Sequence, residues 1–224
     1  MGIADVAQPD SWASRMRRER VRLFLELLPP DRSISILDVG GTEQFWLNAL
    51  HALDGGYNRL SITLLNRASQ PITDKGRIVR SMVGDARDLS RFSDAEFDFC
   101  LSNSVIEHVD TIDDQRRMAR EIARVGSGYF VQTPNRRFIL EPHFHMFGWA
   151  QMPVWYRTFL HRRIDLGWMK AEPNYLQARI DVEQIRLLSV REFRLMFPDG
   201  EVHFEKIGPL TKSLIAIRRC HAQP

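Results

Sequence analysis

The sequence predicts an α/β fold, a doubly wound and mainly parallel sheet with helices on both faces. Three observations lead there. Short apolar runs stand at Ile34 to Val39, Leu60 to Leu65, Ile78 to Val83, Phe97 to Leu101 and Tyr129 to Thr133, each bounded by polar or turn-forming residues. Helical spacing fills gaps between them, at Phe45 to Leu53 and Asp113 to Val125. The first run halts at Gly40-Gly41 before its helix begins, giving strand, glycine turn, helix. Parallel strands need crossover connections, and helices supply them.

A chain of 224 residues suits one globular domain with a small subdomain. Lys and Arg total 31 against 28 Asp and Glu, a net charge of +3. The basic residues are scattered, which argues against a nucleic-acid-coating protein. No stretch approaches the ~20 apolar residues of a membrane span, and Met1 to Arg22 is too polar for a signal peptide. A cytoplasmic protein is expected. Two cysteines, Cys100 and Cys220, read as ordinary thiols.

The opening helix runs from Ser11 to Leu28, with Val21, Phe24, Leu25 and Leu28 at helical spacing, Ser14 as its cap and Pro29-Pro30 as its stop. Its basic run, Arg15 to Arg22, reads as a solvated face. After Pro134 the pattern breaks. Asn135 to Asn174 is rich in turns, with Trp149, Trp155, Trp168, Pro142, Pro153 and Pro173, and reads as a small lid insertion over the sheet edge where ligands sit. Order returns at Ser189-Val-Arg-Glu192, a capping box opening a helix to Phe197, followed by a turn at Pro198-Asp199-Gly200. Glu201 to Ile207 and Ser213 to Arg218, joined through Gly208-Pro209, form an antiparallel hairpin at the sheet edge. The expected division is 1–30 for the N-terminal helix, 31–134 for the cofactor-binding half, 135–188 for the lid and 189–224 for the closing helix and strand pair.

Open parallel sheets bind ligands beyond the carboxyl ends of their strands. The residues there are Asp38 to Thr42, Asn66, Asp85, Asn103 to His108 and Thr133 to Arg136. Glycine at 40 and 41 lets the backbone turn tightly and approach a ligand, and the acid before the turn can accept hydrogen bonds from an ammonium or a ribose hydroxyl. Asp38-Val-Gly-Gly41-Thr-Glu-Gln-Phe45 resembles the first motif of class I S-adenosylmethionine-dependent methyltransferases, Asp-x-Gly-x-Gly-x-Gly, with Thr42 and Gln44 at the later glycine positions. Val83-Gly-Asp85-Ala-Arg-Asp88-Leu resembles that family's third-strand motif. Phe97-Asp-Phe-Cys-Leu-Ser-Asn103-Ser-Val-Ile-Glu107-His108-Val resembles its fourth.

The resemblance implies a seven-stranded sheet with an antiparallel last strand and S-adenosyl-L-methionine as cofactor. Asp38, Gly40, Gly41, Thr42, Asn66, Asp85, Ala86, Asn103 and Ser104 would hold it, Asp85 at the adenine amino group and Asn66 at the ribose, where the family usually carries an acid.

Methyl transfer is an in-line displacement in which the protein aligns the nucleophile, and a hydroxyl nucleophile benefits from a base. His108, at the rim after the fourth strand, is the leading candidate; its other reading is a helix-start histidine bonded to the fold. Thr133-Pro-Asn-Arg-Arg-Phe-Ile-Leu-Glu141-Pro-His143-Phe-His145 resembles stretches of a bacterial subset acting on small molecules, lipids or glycans. His143 is the second catalytic candidate, with a structural or gating role as its alternative. Glu141, His143 and His145 could also ligate a metal with His108 or Glu107, but such spacing is nonspecific and no metal is assigned.

Phe144, Phe147, Trp149, Trp155, Tyr156 and Phe159, with Arg157, Arg162 and Arg163, read either as a lid over a lipid-linked acceptor or as a packed subdomain with a basic face. The expected activity is O-methylation of a small-molecule, lipid-linked or glycan acceptor, without nucleic acid and without a membrane span. Peripheral membrane contact and oligomeric state stay open. The alternative is a catalytically silent binding protein on the same fold, suggested by Thr42, Gln44 and Asn66.

Overall fold

The computed structural model describes residues 12–51, 59–73, 78–141 and 143–220. Apolar runs become strands β1 (Ile34–Val39), β2 (Leu60–Asn66), β3 (Ile78–Val83), β4 (Phe97–Asn103) and β5 (Gly126–Pro134), with β6 (Glu201–Ile207) and β7 (Leu210–Arg218) closing the chain. They form one seven-stranded sheet in the order β3-β2-β1-β4-β5-β7-β6. The pairs β2–β3, β1–β2, β1–β4 and β4–β5 are parallel, while β7 runs antiparallel to both β5 and β6. The strand order reverses beside β1, so its carboxyl end and that of β4 flank the crevice where such sheets bind ligands.

Helices α1 (Trp12–Leu25), α2 (Glu43–His51), α3 (Ile112–Val125), α4 (Val154–His161), α5 (Tyr175–Glu183) and α6 (Val190–Met196) complete the described architecture. One face of the sheet packs Leu37, Val39, Cys100 and Val131 against Met118 and Ile122 of α3 and Phe193 of α6. The other packs Ile34, Ile36, Phe99 and Phe130 against Phe24 of α1 and Trp46 of α2. Phe24 meets Phe99, Phe130 and Trp46 edge-on, at 5.8, 5.5 and 6.3 Å between ring centres. Both faces are therefore dry, as near-continuous apolar strands require.

Real capping boxes open two helices. Ser189 and Glu192 exchange side-chain and backbone hydrogen bonds at α6, and Thr111 and Asp114 do the same at α3. Ser14 is not a cap, because α1 is already helical at Trp12. The predicted helix start at Ser11, the helix end at Ala52-Leu53 and Pro142 lie outside the described residues. Within the expected lid, 135–188, two unforeseen helices, α4 and α5, pack on each other beside a separate small core of Phe144, Trp149, Leu166 and Val182. No described helix is long and apolar enough to cross a membrane.

Candidate active site

The glycine turn after β1 is shaped by what lies beneath it. Gly40 takes φ +81°, and its N–H donates to the Leu65 carbonyl of β2 at 2.8 Å. A Cβ on Gly40 would lie 2.4 Å from Val105 Cγ2, and one on Gly41 would lie 1.8 Å from Asp38 Oδ2. The turn thus folds flat over the Asp38 carboxylate, which is 1% exposed and takes a 2.7 Å hydrogen bond from Trp46 Nε1. Burial pushes the Asp38 carboxyl up to about 7, with the indole hydrogen bond pulling the other way.

Thr42 and Asn66, two of the three departures from the family pattern, have local tasks. The Thr42 hydroxyl accepts from the Phe45 N–H at 3.3 Å, serving the first turn of α2. The Asn66 amide Nδ2 donates to the Gly41 carbonyl at 2.9 Å and ties the turn to β2. A carboxylate could not make that bond, since it has no hydrogen to give.

Two cavities flank the turn and share Gly40. The first, about 420 Å³, is lined by Asp38, Gly41, Thr42, Asn103, Ser104, Glu107, Gln132 and His143. The second, about 340 Å³, is lined by Leu65, Asn66, Asp85, Ala86, Val105 and His108. Both have the size of small-ligand sites. The expected cofactor residues therefore divide, with Asp38, Thr42, Asn103 and Ser104 on one side of the turn and Asn66, Asp85 and Ala86 on the other. Asp85 is already engaged: Arg87 donates to it from Nε and Nη2, the latter at 2.6 Å, and holds the carboxyl below the usual range.

Arg20 corrects the solvated-face reading of Arg15 to Arg22. It enters the first cavity and donates through Nη1 to Asn103 Oδ1 at 2.6 Å and Gln132 Oε1 at 2.9 Å, while Nε and Nη2 grip Glu205 of β6. Arg17 and Lys212 line the same cavity, and burial lowers Lys212 to about 8. The rest of the run follows the expectation where Arg15, Arg18 and Arg22 are exposed. Ser104, at φ +57°, donates from its hydroxyl to Gln132 Oε1 at 2.8 Å.

The histidines of the fourth motif and of the Glu-Pro-His stretch meet. Their Nε2 atoms are 3.2 Å apart, with His108 and His143 nearly perpendicular at 86°. Glu141 stands behind His143: its Oε1 faces His143 Nδ1 at 2.6 Å, and its Oε2 accepts from the backbone N–H groups of His143 and Phe144 at 2.8 and 2.6 Å. Burial would depress His143, but the Glu141 carboxylate outweighs it and raises the imidazole. Burial, with the His143 charge, lowers His108 to about 4. Glu107 is fully buried beside them, and burial raises its carboxyl to about 7. His145 stands apart, edge-on to Trp168.

The aromatic stretch divides. Phe144 and Trp149 stack at 4.2 Å in the interior, whereas Phe147, Trp155 and Phe159 stay exposed. Arg163 lies over the Phe159 ring at 3.7 Å. Sequence reasoning missed Trp46, Gln132 and Arg20. Trp46 reads as an apolar helix position and Gln132 as an interior position of a strand, and the Arg20 network joins residues as far as 185 positions apart.

The Methyltransferase domain family matches residues 37–131. Uncharacterized proteins of two Mycobacterium tuberculosis strains are 34% identical over 70 residues, 31% of this chain; the match spans about a quarter, 24%, of their length. Among solved structures, an S-adenosylmethionine-dependent methyltransferase of Methanosarcina mazei is 14% identical, with a TM-score of 0.52 over 87% of this chain and 95% of that one. An O-methyltransferase family protein of Burkholderia thailandensis is also 14% identical, at TM-score 0.52 over 98% and 61%. The carbon methyltransferase CurJ reaches TM-score 0.55 at 12% identity over 95% and 56%. Likeness at such identity concerns the fold, and oxygen and carbon methylation share it.

Proposed function

We propose that this chain, which belongs to the class I S-adenosylmethionine-dependent methyltransferases through its domain at residues 37–131, methylates an oxygen of a small-molecule, glycan or lipid-linked acceptor. The observation that carries the reading is the pair of cavities that meet over Gly40, one ending at Asn66 and Asp85 and the other at Asp38 and His143. A single elongated ligand lying across the turn would occupy both.

The residues fit S-adenosyl-L-methionine on one point of their own chemistry. Asp38 is a buried carboxylate at a cavity wall whose described hydrogen bond comes from an uncharged indole, so it lacks a cation that an ammonium would supply. Asn66 keeps its carbonyl oxygen for a ribose hydroxyl, and Asp85 and Ala86 would stand at the adenine. Gly40 and Gly41 let the backbone approach, and Asn103 and Ser104 close the methionine end. Arg17, Arg20 and Lys212 give that cavity a basic wall suited to a carboxylate.

The bound cofactor supplies the electrophilic methyl group. His108 and His143 then act on the acceptor. In the cation-free protein an imidazole of the pair takes the hydroxyl proton, with Glu141 fixing the ring of His143.

A catalytically silent scaffold is the second reading, favoured by the Arg87 ion pair that already engages Asp85. Calorimetry with S-adenosylmethionine and with its demethylated product separates the two. Binding of either, followed by transfer of a labelled methyl group to hydroxyl-bearing acceptors, is expected; no heat with either ligand overturns the enzyme reading.

A further inference from the structure

At the junction of the two cavities, three potential ligands converge. Glu107 and His108 belong to the short 3-10 turn Ile106–His108 after β4, and His143 comes from the stretch after β5. One donor atom from each of Glu107, His108 and His143 lies within 4.8 Å of the others.

Two features are not explained by the protein's own hydrogen bonds. The first is Glu107 Oε1, buried and without a partner among the described atoms, although its other oxygen accepts from Thr133 Oγ1 at 3.0 Å. Protonating Glu107 would not resolve this, because a hydroxyl at Oε1 would then lack an acceptor. The second is the close approach of two Nε2 atoms. A hydrogen bond between the imidazoles accounts for it, but leaves Glu107 Oε1 unpartnered. Two nitrogens bound tetrahedrally about 2.05 Å from one ion stand roughly 3.3 Å apart, and here they stand 3.2 Å apart.

Glu141 completes the pattern. A histidine that binds a metal through one nitrogen commonly presents the other to a carboxylate, which fixes the ring and raises its basicity. His143 Nδ1 has that partner at 2.6 Å, and the carboxylate is itself anchored by two backbone N–H groups.

We infer that Glu107, His108 and His143 bind one divalent transition-metal ion, of the zinc class that two imidazoles and one carboxylate select. Glu141 is a positioning residue. The ion and a proton shared by the imidazoles are alternative occupants of the same gap. A bound ion would supply Lewis-acid chemistry for an acceptor oxygen.

The inference needs no assumption about methyl transfer, and its test is binding alone. The full chain, dialysed against chelator, is titrated calorimetrically with Zn²⁺, Mn²⁺ and Mg²⁺ in turn, and with Co²⁺ followed by visible absorption. One equivalent of Zn²⁺ and the d–d bands of tetrahedral Co²⁺ are expected, with little response to Mg²⁺. His143→Ala should abolish both signals, and Glu141→Gln should weaken Zn²⁺ by about 10–100-fold. Glu107→Gln is the second ligand variant, read only if its thermal unfolding stays cooperative; the half-buried His143 supplies a milder one. Absence of Zn²⁺ and Co²⁺ binding in the parent, or binding that His143→Ala leaves unchanged, overturns the metal site. Either result leaves cofactor binding, and so the methyltransferase reading, standing.

Discussion

Trp46 Nε1 donates a 2.7 Å hydrogen bond to Asp38 Oδ2 beneath the glycine turn, joining the start of α2 to the end of β1 with both residues out of water. The bond holds a carboxylate in a place that raises its pKa to about 7. The sign of the consequence follows from linkage. Between the ordinary carboxyl value, 3.8, and about 7, the folded chain binds a proton that the unfolded chain has released. Stability from this group is fully present below the unfolded value, is lost as pH rises toward 7, and is flat above. The loss is at most about 4 kcal/mol. Chemical denaturation from pH 4 to 8 should show that decline, and Asp38→Asn should remove this component. A positively charged ligand group at Asp38 reverses the preference, so cofactor affinity should rise with pH through 7 in the parent and lose that dependence in Asp38→Asn. Asp38→Ala should weaken cofactor binding severely.

Arg20 ties α1 to β4, β5 and β6 through Asn103, Gln132 and Glu205. Both members of its ion pair are largely buried, the side chains 10% and 11% exposed. Removing one partner strands the other, so Arg20→Met should cost about 3 kcal/mol or more in urea unfolding. Arg20→Lys keeps the charge but not the planar fork that reaches three acceptors at once, and should recover less than half of that loss. Cofactor binding should fall in both variants, because Asn103 loses its fixed orientation.

The strands were legible because their burial is nearly continuous: β1 and β4 each keep a partly exposed second residue between buried neighbours. Their polar ends were not. Asn66, Ser102 and Asn103 continue β2 and β4, and Gly126 and Gly128 begin β5, although composition alone reads them as loop. Gly128 is required there, since a Cβ would lie 2.7 Å from Phe99. α4 and α5 were hidden for a different reason. Pro153 reads as a turn but serves as the N-cap of α4, and α5 buries little beyond Ala178 and Val182 while exposing Leu176 and Ile180. Asn174 followed by Gln177 was a readable start signal. The convergence of His108 and His143, 35 positions apart, follows from β4 and β5 being neighbours, and sequence spacing carries no trace of it.

Glu141→Gln separates positioning from binding. Glu141 lines neither of the two cavities beside the turn, so affinity for S-adenosylmethionine should stay within about twofold. Turnover should fall by about 10–100-fold, because the ring of His143 loses the charged partner that fixes it. His108→Ala and His143→Ala, whose side chains do line the cavities, should lower kcat by far more than they lower cofactor affinity. Calorimetry beside steady-state kinetics checks the split, and a matching loss of cofactor affinity would assign these residues to cofactor binding instead.

Two glycines, one at a positive φ and one at a crowded position, should respond to alanine to different degrees and for different reasons. Gly148 has φ +68° with nothing within 4 Å of an added Cβ, so Gly148→Ala bears only the conformational cost, about 1–2 kcal/mol. Gly41 faces the reverse situation. Its backbone is not left-handed, but an added Cβ would lie 1.8 Å from Asp38 Oδ2 and 2.1 Å from Asp38 Cγ. The side chain cannot retreat, because Trp46 holds it from the other side. Gly41→Ala must therefore lift the turn, break the 2.9 Å bond from Asn66 to the Gly41 carbonyl and open the floor shared by the two cavities. Cofactor binding should be lost below any measurable affinity in Gly41→Ala, and thermal unfolding should drop by more than in Gly148→Ala. Binding of S-adenosylmethionine by Gly41→Ala at parental strength would mean that the cofactor does not lie across this turn.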